Sequence, residues 1–237
     1  MAPHDARSAE EGVRALYARR DAAGKRQLYA STRGEMRAWE RTHAETAWRA
    51  LGWAGLGAAL QDVRVLDVGC GTGGWLHRLA GWGAQPRNLF GVELLEDRLR
   101  EGKAADARIG LVAASGWRLP FPDRFFHLTS LFTVLSSLRD PEARRALGEE
   151  VRRTAAEGGW ALVYDFRVRS PRSRDLVGIG TREVEHALGR PVVWRRSLTL
   201  APPLARALGR FGEGGVVVAE RLFPIFRTHR MYLVRLS

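Results

Sequence analysis

Residues 65–75 read VLDVGCGTGGW, an apolar, β-branched run that stops at four glycines within six residues. Glycine is costly to order, so so many in one turn imply that the backbone must adopt left-handed angles or let something approach closely. A strand that ends on such a loop and leads into a helix presents backbone N–H groups and the positive end of the helix to an anionic group. Two spacings coexist. Gly69, Gly71 and Gly74 satisfy the G-x-G-x-x-G pattern of a dinucleotide site, whereas Asp67, Gly69, Gly71 and Gly73 place an acid two residues before the first glycine. A dinucleotide pyrophosphate and an amino-acid carboxylate both suit the loop. A carboxylate at Asp67 orients the loop and favours a cationic group, and beside a pyrophosphate it adds repulsion.

Strand and helix signals alternate after this point. A helix is expected over Gly74–Ala80, a strand over Asn88–Glu93, a helix over Glu96–Ala105 and a strand over Ile109–Ala113. A "LPFPD" turn follows, then a strand over Phe125–Phe132, a helix around Pro141–Ala156 and a strand over Trp160–Asp165. This alternation predicts an α/β, Rossmann-like, doubly wound and mostly parallel seven-stranded sheet. Val192–Leu200 and Met231–Leu236 read as closing strands, with an antiparallel C-terminal strand and a long Pro- and Gly-bearing connection along one end of the sheet. Before the first strand, apolar positions at helical spacing over Ala9–Arg20 (Val13, Leu16, Tyr17) and Glu35–Leu51 (Met36, Trp39, His43, Trp48, Leu51) predict an N-terminal helical cap. The expected division is a cap or lid over residues 1–55, carrying Tyr17 and Tyr29, and a core over residues 56–237.

The 237 residues, 45% of them hydrophobic, suffice for one well-buried core. No stretch approaches the roughly 18–20 apolar residues of a membrane span, and the first 30 residues are charged throughout, so a soluble, cytoplasmic protein is expected. The lone cysteine, Cys70, cannot form an internal disulfide and is a poor nucleus for a metal site, so no metal is expected. A net charge of +12 is compatible with an anionic partner, yet of 38 basic residues only Lys25 and Lys103 are lysines, a bias that coding composition also produces.

Two further blocks fix the cofactor. Glu93 ends the next strand 20 residues after Gly73, where a carboxylate can accept from both hydroxyls of a ribose. That position serves NAD and S-adenosylmethionine alike. The third block, "AASGWRLPFPDRFFHLTSLFTVLSSL" (Ala113–Leu138), separates them. With it, the chain resembles a class I S-adenosylmethionine-dependent methyltransferase of the "DVGCGTG…LPFPD" branch, strongly over about Val65–Asp165. The resemblance implies S-adenosylmethionine as cofactor and a binding set of Asp67, Gly69, Cys70, Gly71, Gly73, Glu93, Leu94, Ser115, Gly116, Trp117 and Phe132. The loop glycines would approach the methionyl end, with Cys70 a small packing residue among them. Glu93 would hold the ribose, Leu94 would pack on the adenine, and Ser115, Gly116 and Trp117 would border its edge. Two positions depart from the family pattern: Ser115 and His127 stand where aspartates are usual.

Methyl transfer from a sulfonium is an in-line displacement, so alignment and desolvation dominate, with a base contributing where the acceptor needs one. Ligands of open parallel sheets sit beyond the carboxyl ends of the strands. That selects Phe132, Thr133 and Ser136, then Tyr164, Asp165 and Arg167; Asp165 leads as the base candidate, followed by His229 in "FRTHRMY", with Tyr164 beside them. Arg167, Arg169, Arg172 and Arg174 could grip a phosphate or carboxylate, or form a solvated basic loop. No "NPPY" tetrapeptide follows the fourth strand, which the resemblance makes an argument against base-amine and glutamine-amide acceptors. The expected function is methyl transfer to a small-molecule or glycan acceptor, at oxygen, in glycan or natural-product biosynthesis. An RNA methyltransferase and a non-catalytic cofactor-binding protein are the alternatives. Nucleic acid is disfavoured for want of a binding appendage, and the oligomeric state, a homodimer included, stays open.

Overall fold

The computed structural model describes residues 6–22, 34–168 and 176–237. Seven strands form one sheet in the order β3-β2-β1-β4-β5-β7-β6: β1 (Val65–Val68), β2 (Leu89–Glu93), β3 (Gly110–Ala113), β4 (Phe126–Phe132), β5 (Ala155–Phe166), β6 (Val192–Leu200) and β7 (Arg227–Arg235). The β1–β2, β1–β4, β2–β3 and β4–β5 pairs are parallel, and β7 runs antiparallel to both β5 and β6. The expected mixed, doubly wound sheet is thus present, with β7 as its reversed strand. All four residues of β1 are buried, which is why its sequence is continuously apolar except at Asp67.

Successive residues of a strand face opposite sides, and the core divides accordingly. On one face Val65, Leu128, Leu162, Tyr164 and Leu233 pack beneath α2 (Gly34–Trp53), α3 (Gly74–Gly81) and α4 (Glu96–Ala105). On the other, Leu66, Leu131, Val163 and Tyr232 pack beneath α5 (Pro141–Thr154) and α6 (Thr181–Leu188). The helix α5 starts where Asp140 accepts from the Glu142 N–H at 3.0 Å with Pro141 in the first turn, and it ends on Arg152 and Arg153. In the cap, α1 (Ala6–Ala22) lies over the β2 end, whereas α2 buries Ala38, His43, Ala47 and Leu51 and so belongs to the core as much as to a cover.

Three elements differ from the sequence expectation. The helix before β5 stops at Thr154 and the strand starts at Ala155, opposite Phe126; its register then shifts around Gly158, at a φ of +71°, before Trp160 pairs with Leu128, and that irregular stretch breaks the apolar alternation. The last strand begins at Arg227, four residues before Met231, through a polar RTHR stretch that carries no hydrophobic signal. The connection between β6 and β7 folds into two helices, α7 (Pro202–Gly209) and α8 (Glu213–Leu222).

Small residues let the glycine loop sit down on its neighbours. A Cβ on Gly102 of α4 would stand 2.7 Å from the Thr72 carbonyl oxygen and 2.8 Å from Leu111. The obstacle is backbone, which cannot rotate away. Gly102→Ala is therefore expected to cost about 1–3 kcal/mol of stability, as overpacking does, and to displace Thr72. A denaturation midpoint equal to that of the wild type would contradict this packing.

Candidate active site

The turn after β1 has the conformation its glycines permit. Gly69, Gly71 and Gly73 have φ of +72°, +56° and +79°, and Gly73 precedes the first residue of α3. The N–H groups of Gly69 and Cys70 both donate to the Val92 carbonyl, at 2.8 and 3.0 Å, which ties the loop to β2. Cys70 is buried against Gly91, where a Cβ would meet its Sγ at 2.6 Å. Its thiol is pushed well above the usual range, first by burial and then by Asp67 and Glu93, so it is an inert packing group.

Glu93 closes the loop from the other side. Its Oε2 accepts from the Gly71 N–H at 2.9 Å, and its Oε1 accepts from the N–H groups of Leu94 and Leu95 at 2.8 and 3.0 Å. Behind the loop, Asp67 is buried and accepts from the Ser130 hydroxyl at 2.6 Å. Burial raises its pKa to about 7, opposed by the Ser130 hydrogen bond and assisted by the negative charge of Glu93. A cationic group placed between these two carboxylates would relieve both.

The cradle fits S-adenosylmethionine. Open space lies where a Cβ of Gly71 would stand, with nothing within 4 Å. The Glu93 carboxylate accepts from the Gly71 N–H at this position, and α3 starts three residues further on. On the side expected to border adenine, a Cβ on Gly116 would meet Leu147 at 2.7 Å and Val68 at 3.2 Å, so this position is closed to larger residues. Ser115 Oγ accepts from the Trp117 N–H at 3.3 Å, and the Trp117 indole donates to the Ala143 carbonyl at 2.8 Å. The indole is thereby anchored to α5. Tyr17 of α1 lies beside Glu93 with Arg98 4.5 Å from its ring centroid, and Arg98 pairs with Asp21 at 3.4 Å. A cleft of about 400 Å³ runs between α1 and residues 137–143. Tyr29 lies outside the described residues, as do Arg169, Arg172 and Arg174.

At the carboxyl ends of β4 and β5 the structure gathers an aromatic cluster. Tyr164 accepts from the Trp39 indole N–H at 2.8 Å and shares a hydrogen bond with Thr199 Oγ1, also at 2.8 Å. Its ring stacks on His229 at 4.9 Å and meets His43 edge-on at 4.7 Å. Phe132 and Trp75 complete the box around His43, at 4.9 and 6.0 Å. Both imidazoles are neutral: burial lowers each pKa to about 3, with Arg78 adding at His43 and His43 adding at His229. The His43 Nε2 and the Trp75 Nε1 are buried and have no hydrogen-bond partner among the described residues, a costly state. Thr133 and Thr199, β-branched residues, sit at φ of +57° and +69°, and both bond to Tyr164, the first through its N–H to the Tyr164 carbonyl at 2.7 Å. Backbone strain of this kind concentrates at functional sites.

Asp165 lies on the opposite face of β5 from this cluster. It is fully buried and accepts from the N–H groups of Ser136 and Phe166 at 3.0 and 2.8 Å, with burial raising its pKa to about 6. Its carboxylate fixes the turn after β4. The structure therefore brings His229, Tyr164 and Phe132 together and leaves Asp165 apart. His43 and Trp75 were not singled out by sequence; their only signal was a histidine and a tryptophan on buried helix faces. At the departure His127, Nδ1 accepts from the Arg64 N–H at 3.0 Å, so the imidazole anchors the chain entering β1.

The sheet order β3-β2-β1-β4-β5-β7-β6 with β7 reversed, and the glycine loop at the carboxyl end of β1, make up a class I methyltransferase fold. Residues 65–159 match the family model described as a methyltransferase domain. The chain is 33% identical over 183 residues to a demethylmenaquinone methyltransferase of Roseiflexus sp. (strain RS-1), covering 75% of this chain and 68% of that one. It is 30% identical over 112 residues to a sterol 4-C-methyltransferase of Caenorhabditis elegans, covering 45% of this chain and 32% of that one. Among solved structures, a geranyl diphosphate C-methyltransferase from Streptomyces coelicolor A3(2) shares the fold with a TM-score of 0.56 at 16% identity, over 77% of each chain. The chain belongs to the S-adenosylmethionine-dependent methyltransferases.

Glu93→Ala is expected to weaken S-adenosylhomocysteine binding at least about tenfold, since hydrogen bonds to a charged group contribute roughly 1.5–3 kcal/mol each. Glu93→Gln, which keeps an acceptor for Leu94 and Leu95, should fall between the two. Calorimetric affinity unchanged in the alanine variant would remove Glu93 from the cofactor site.

Proposed function

We propose that this methyltransferase acts on an apolar small molecule bearing a phenol- or enol-type hydroxyl, with a neighbouring carbon as the methyl acceptor. The observation that carries this reading is the cluster of Trp39, His43, Trp75, Phe132, Tyr164 and His229, aromatic throughout and holding two neutral histidines. Such a box favours planar, uncharged groups and offers hydrogen-bonding atoms without charge. The relatives support it, one being named for a demethylmenaquinone and the other for the 4-carbon of a sterol.

S-adenosylmethionine, when bound, supplies an electrophilic methyl group on a positively charged sulfur. The residues of the chain hold and orient it through the glycine loop and Glu93, and the box excludes water from the acceptor. The Tyr164 hydroxyl, fixed by Trp39 and Thr199, sets the plane of the acceptor. The neutral His43, through its unpartnered Nε2, accepts a hydrogen bond from the acceptor hydroxyl, which raises electron density at the adjacent ring or enol carbon; His229 stacks on Tyr164, and the proton that the methylated carbon loses passes to water. Asp165 acts as a positioning residue through Ser136 and the turn after β4. Oxygen, the acceptor atom expected from sequence, shares the same hydroxyl; carbon is favoured by the sterol relative's named reaction. An acceptor clamped by arginines is not part of this reading, because the box is uncharged.

Turnover of labelled cofactor with a detergent-dissolved demethylated naphthoquinol is expected to give a C-methyl product. An O-methyl product would overturn carbon as the acceptor atom, and methylation of glycans or RNA alone would overturn the acceptor class. Tyr164→Phe should leave cofactor affinity intact and lower kcat about tenfold or more, the cost of roughly one lost hydrogen-bonding group. Equal kcat in that variant would take Tyr164 out of the acceptor site.

A further inference from the structure

The β6–β7 connection presents a surface that methyl transfer does not use. Phe211 is 81% exposed, Ile225 76% and Leu222 67%, and residues 221–226 (RLFPIF) are exposed without interruption. Exposed apolar residues scattered singly are ordinary, but here they flank an apolar groove of about 180 Å³ formed by Leu200, Leu204, Leu208, Ala219, Phe223 and Phe226.

Charge is sorted around this patch. The two acids of α8 both have partners on α2: Glu213, on the surface, pairs with Arg37 and Arg41 at 3.7 and 3.5 Å, and Glu220 is buried where the Thr42 hydroxyl donates to it at 3.4 Å. Arg206 and Arg210 are exposed beside the apolar side chains, and so is Arg221, whose guanidinium stands 4.0 Å from the Glu45 carboxylate of α2. Arg196 lies close enough to Arg49, Arg227 and Arg221 to feel their charge, which Glu220 opposes. An apolar rim with arginines beside it is the composition of a segment that lies in a lipid interface, where acyl chains take the apolar groups and anionic headgroups the cations.

We infer that α7, α8 and the Pro224–Phe226 turn form a face that docks on an anionic lipid bilayer, with Phe211, Leu222 and Ile225 entering the interface and Arg206, Arg210 and Arg221 meeting the lipid phosphates. The face adjoins the aromatic box. Ala201 donates its N–H to the Phe226 carbonyl at 2.9 Å at the groove, Thr199 two residues before it bonds to Tyr164, and Thr228 donates to the Thr199 carbonyl at 3.2 Å beside His229. An acceptor dissolved in the bilayer would reach Tyr164 from this side. That delivery step rests on the apolar-acceptor reading; docking itself does not.

Co-sedimentation of the full chain with vesicles tests the inference. Vesicles of equal parts phosphatidylglycerol and phosphatidylcholine should bind the protein about tenfold or more tightly than phosphatidylcholine alone, and high salt should erase the difference. Phe211→Ser with Ile225→Ser should weaken binding to the mixed vesicles by about tenfold or more. Arg206→Gln with Arg221→Gln should weaken it by about fivefold per arginine. S-adenosylhomocysteine affinity, expected to match the wild type in all of these variants, reports that they are folded. Sedimentation with neither vesicle, or serine variants that bind like the wild type, would overturn docking. So would a wild-type dimer that the serine pair converts to monomer with no vesicle binding, because a second copy would then cover the face. Turnover in detergent without vesicle binding would remove docking and leave the acceptor reading standing; vesicle binding without turnover of any apolar acceptor would do the reverse.

Discussion

Three backbone N–H groups converge on one carboxylate, Glu93, and the geometry of the site follows from that convergence. The chain leaves β1 through left-handed glycines that have no side chains with which to hold their shape. Glu93 supplies the missing constraint by binding Gly71 on one side and the first residues beyond β2 on the other. Gly91 and Gly102 make the arrangement possible, since a methyl group at either would collide with the loop. A charged acceptor of three N–H groups is a strong restraint, and it holds the carboxylate beside Gly71. The interaction that shapes the loop thus also presents an acceptor where a ribose is expected. Asp67 beneath it adds a second, buried carboxyl group with a raised pKa, so that positive charge placed above the loop is favoured electrostatically.

The alternation of side chains along β5 divides labour at the other end of the site. Tyr164 faces α2 and enters the aromatic box; Asp165 faces the opposite way and holds the turn after β4. The two left-handed threonines, Thr133 and Thr199, are fixed on either side of Tyr164, so local strain is balanced by hydrogen bonds to the residue that they position. The unpaired His43 and Trp75 nitrogens have a cost of the same kind.

The alternation of strands and helices and the glycine loop were readable in the sequence because both rest on local rules: apolar runs for buried strands, glycine where φ is positive, an acid at a strand end. The acceptor side rests on contacts between residues far apart in the chain. Trp39 and Tyr164 are 125 positions apart, and no spacing rule joins them. Asp165 was the leading base candidate because strand-end acids often are; the alternation along β5 turns it away from Tyr164, and which of the two faces α2 is set by how the sheet is covered. His127, a departure from the family pattern, has a role only once Arg64 is seen beside it. The helices α7 and α8 had their signals, a Pro-Pro start and apolar spacing, but glycines at 209, 212, 214 and 215 gave the stretch the composition of a loop.

Every role assigned to the site depends on the glycine loop and Glu93 holding S-adenosylmethionine rather than a dinucleotide. Thermal denaturation of the wild-type protein with saturating S-adenosylhomocysteine or with saturating NAD tests it most directly, because a ligand that binds only the folded state raises the midpoint in proportion to its occupancy. A midpoint raised by S-adenosylhomocysteine and unmoved by NAD is the predicted result; a midpoint raised by NAD and unmoved by S-adenosylhomocysteine would contradict it.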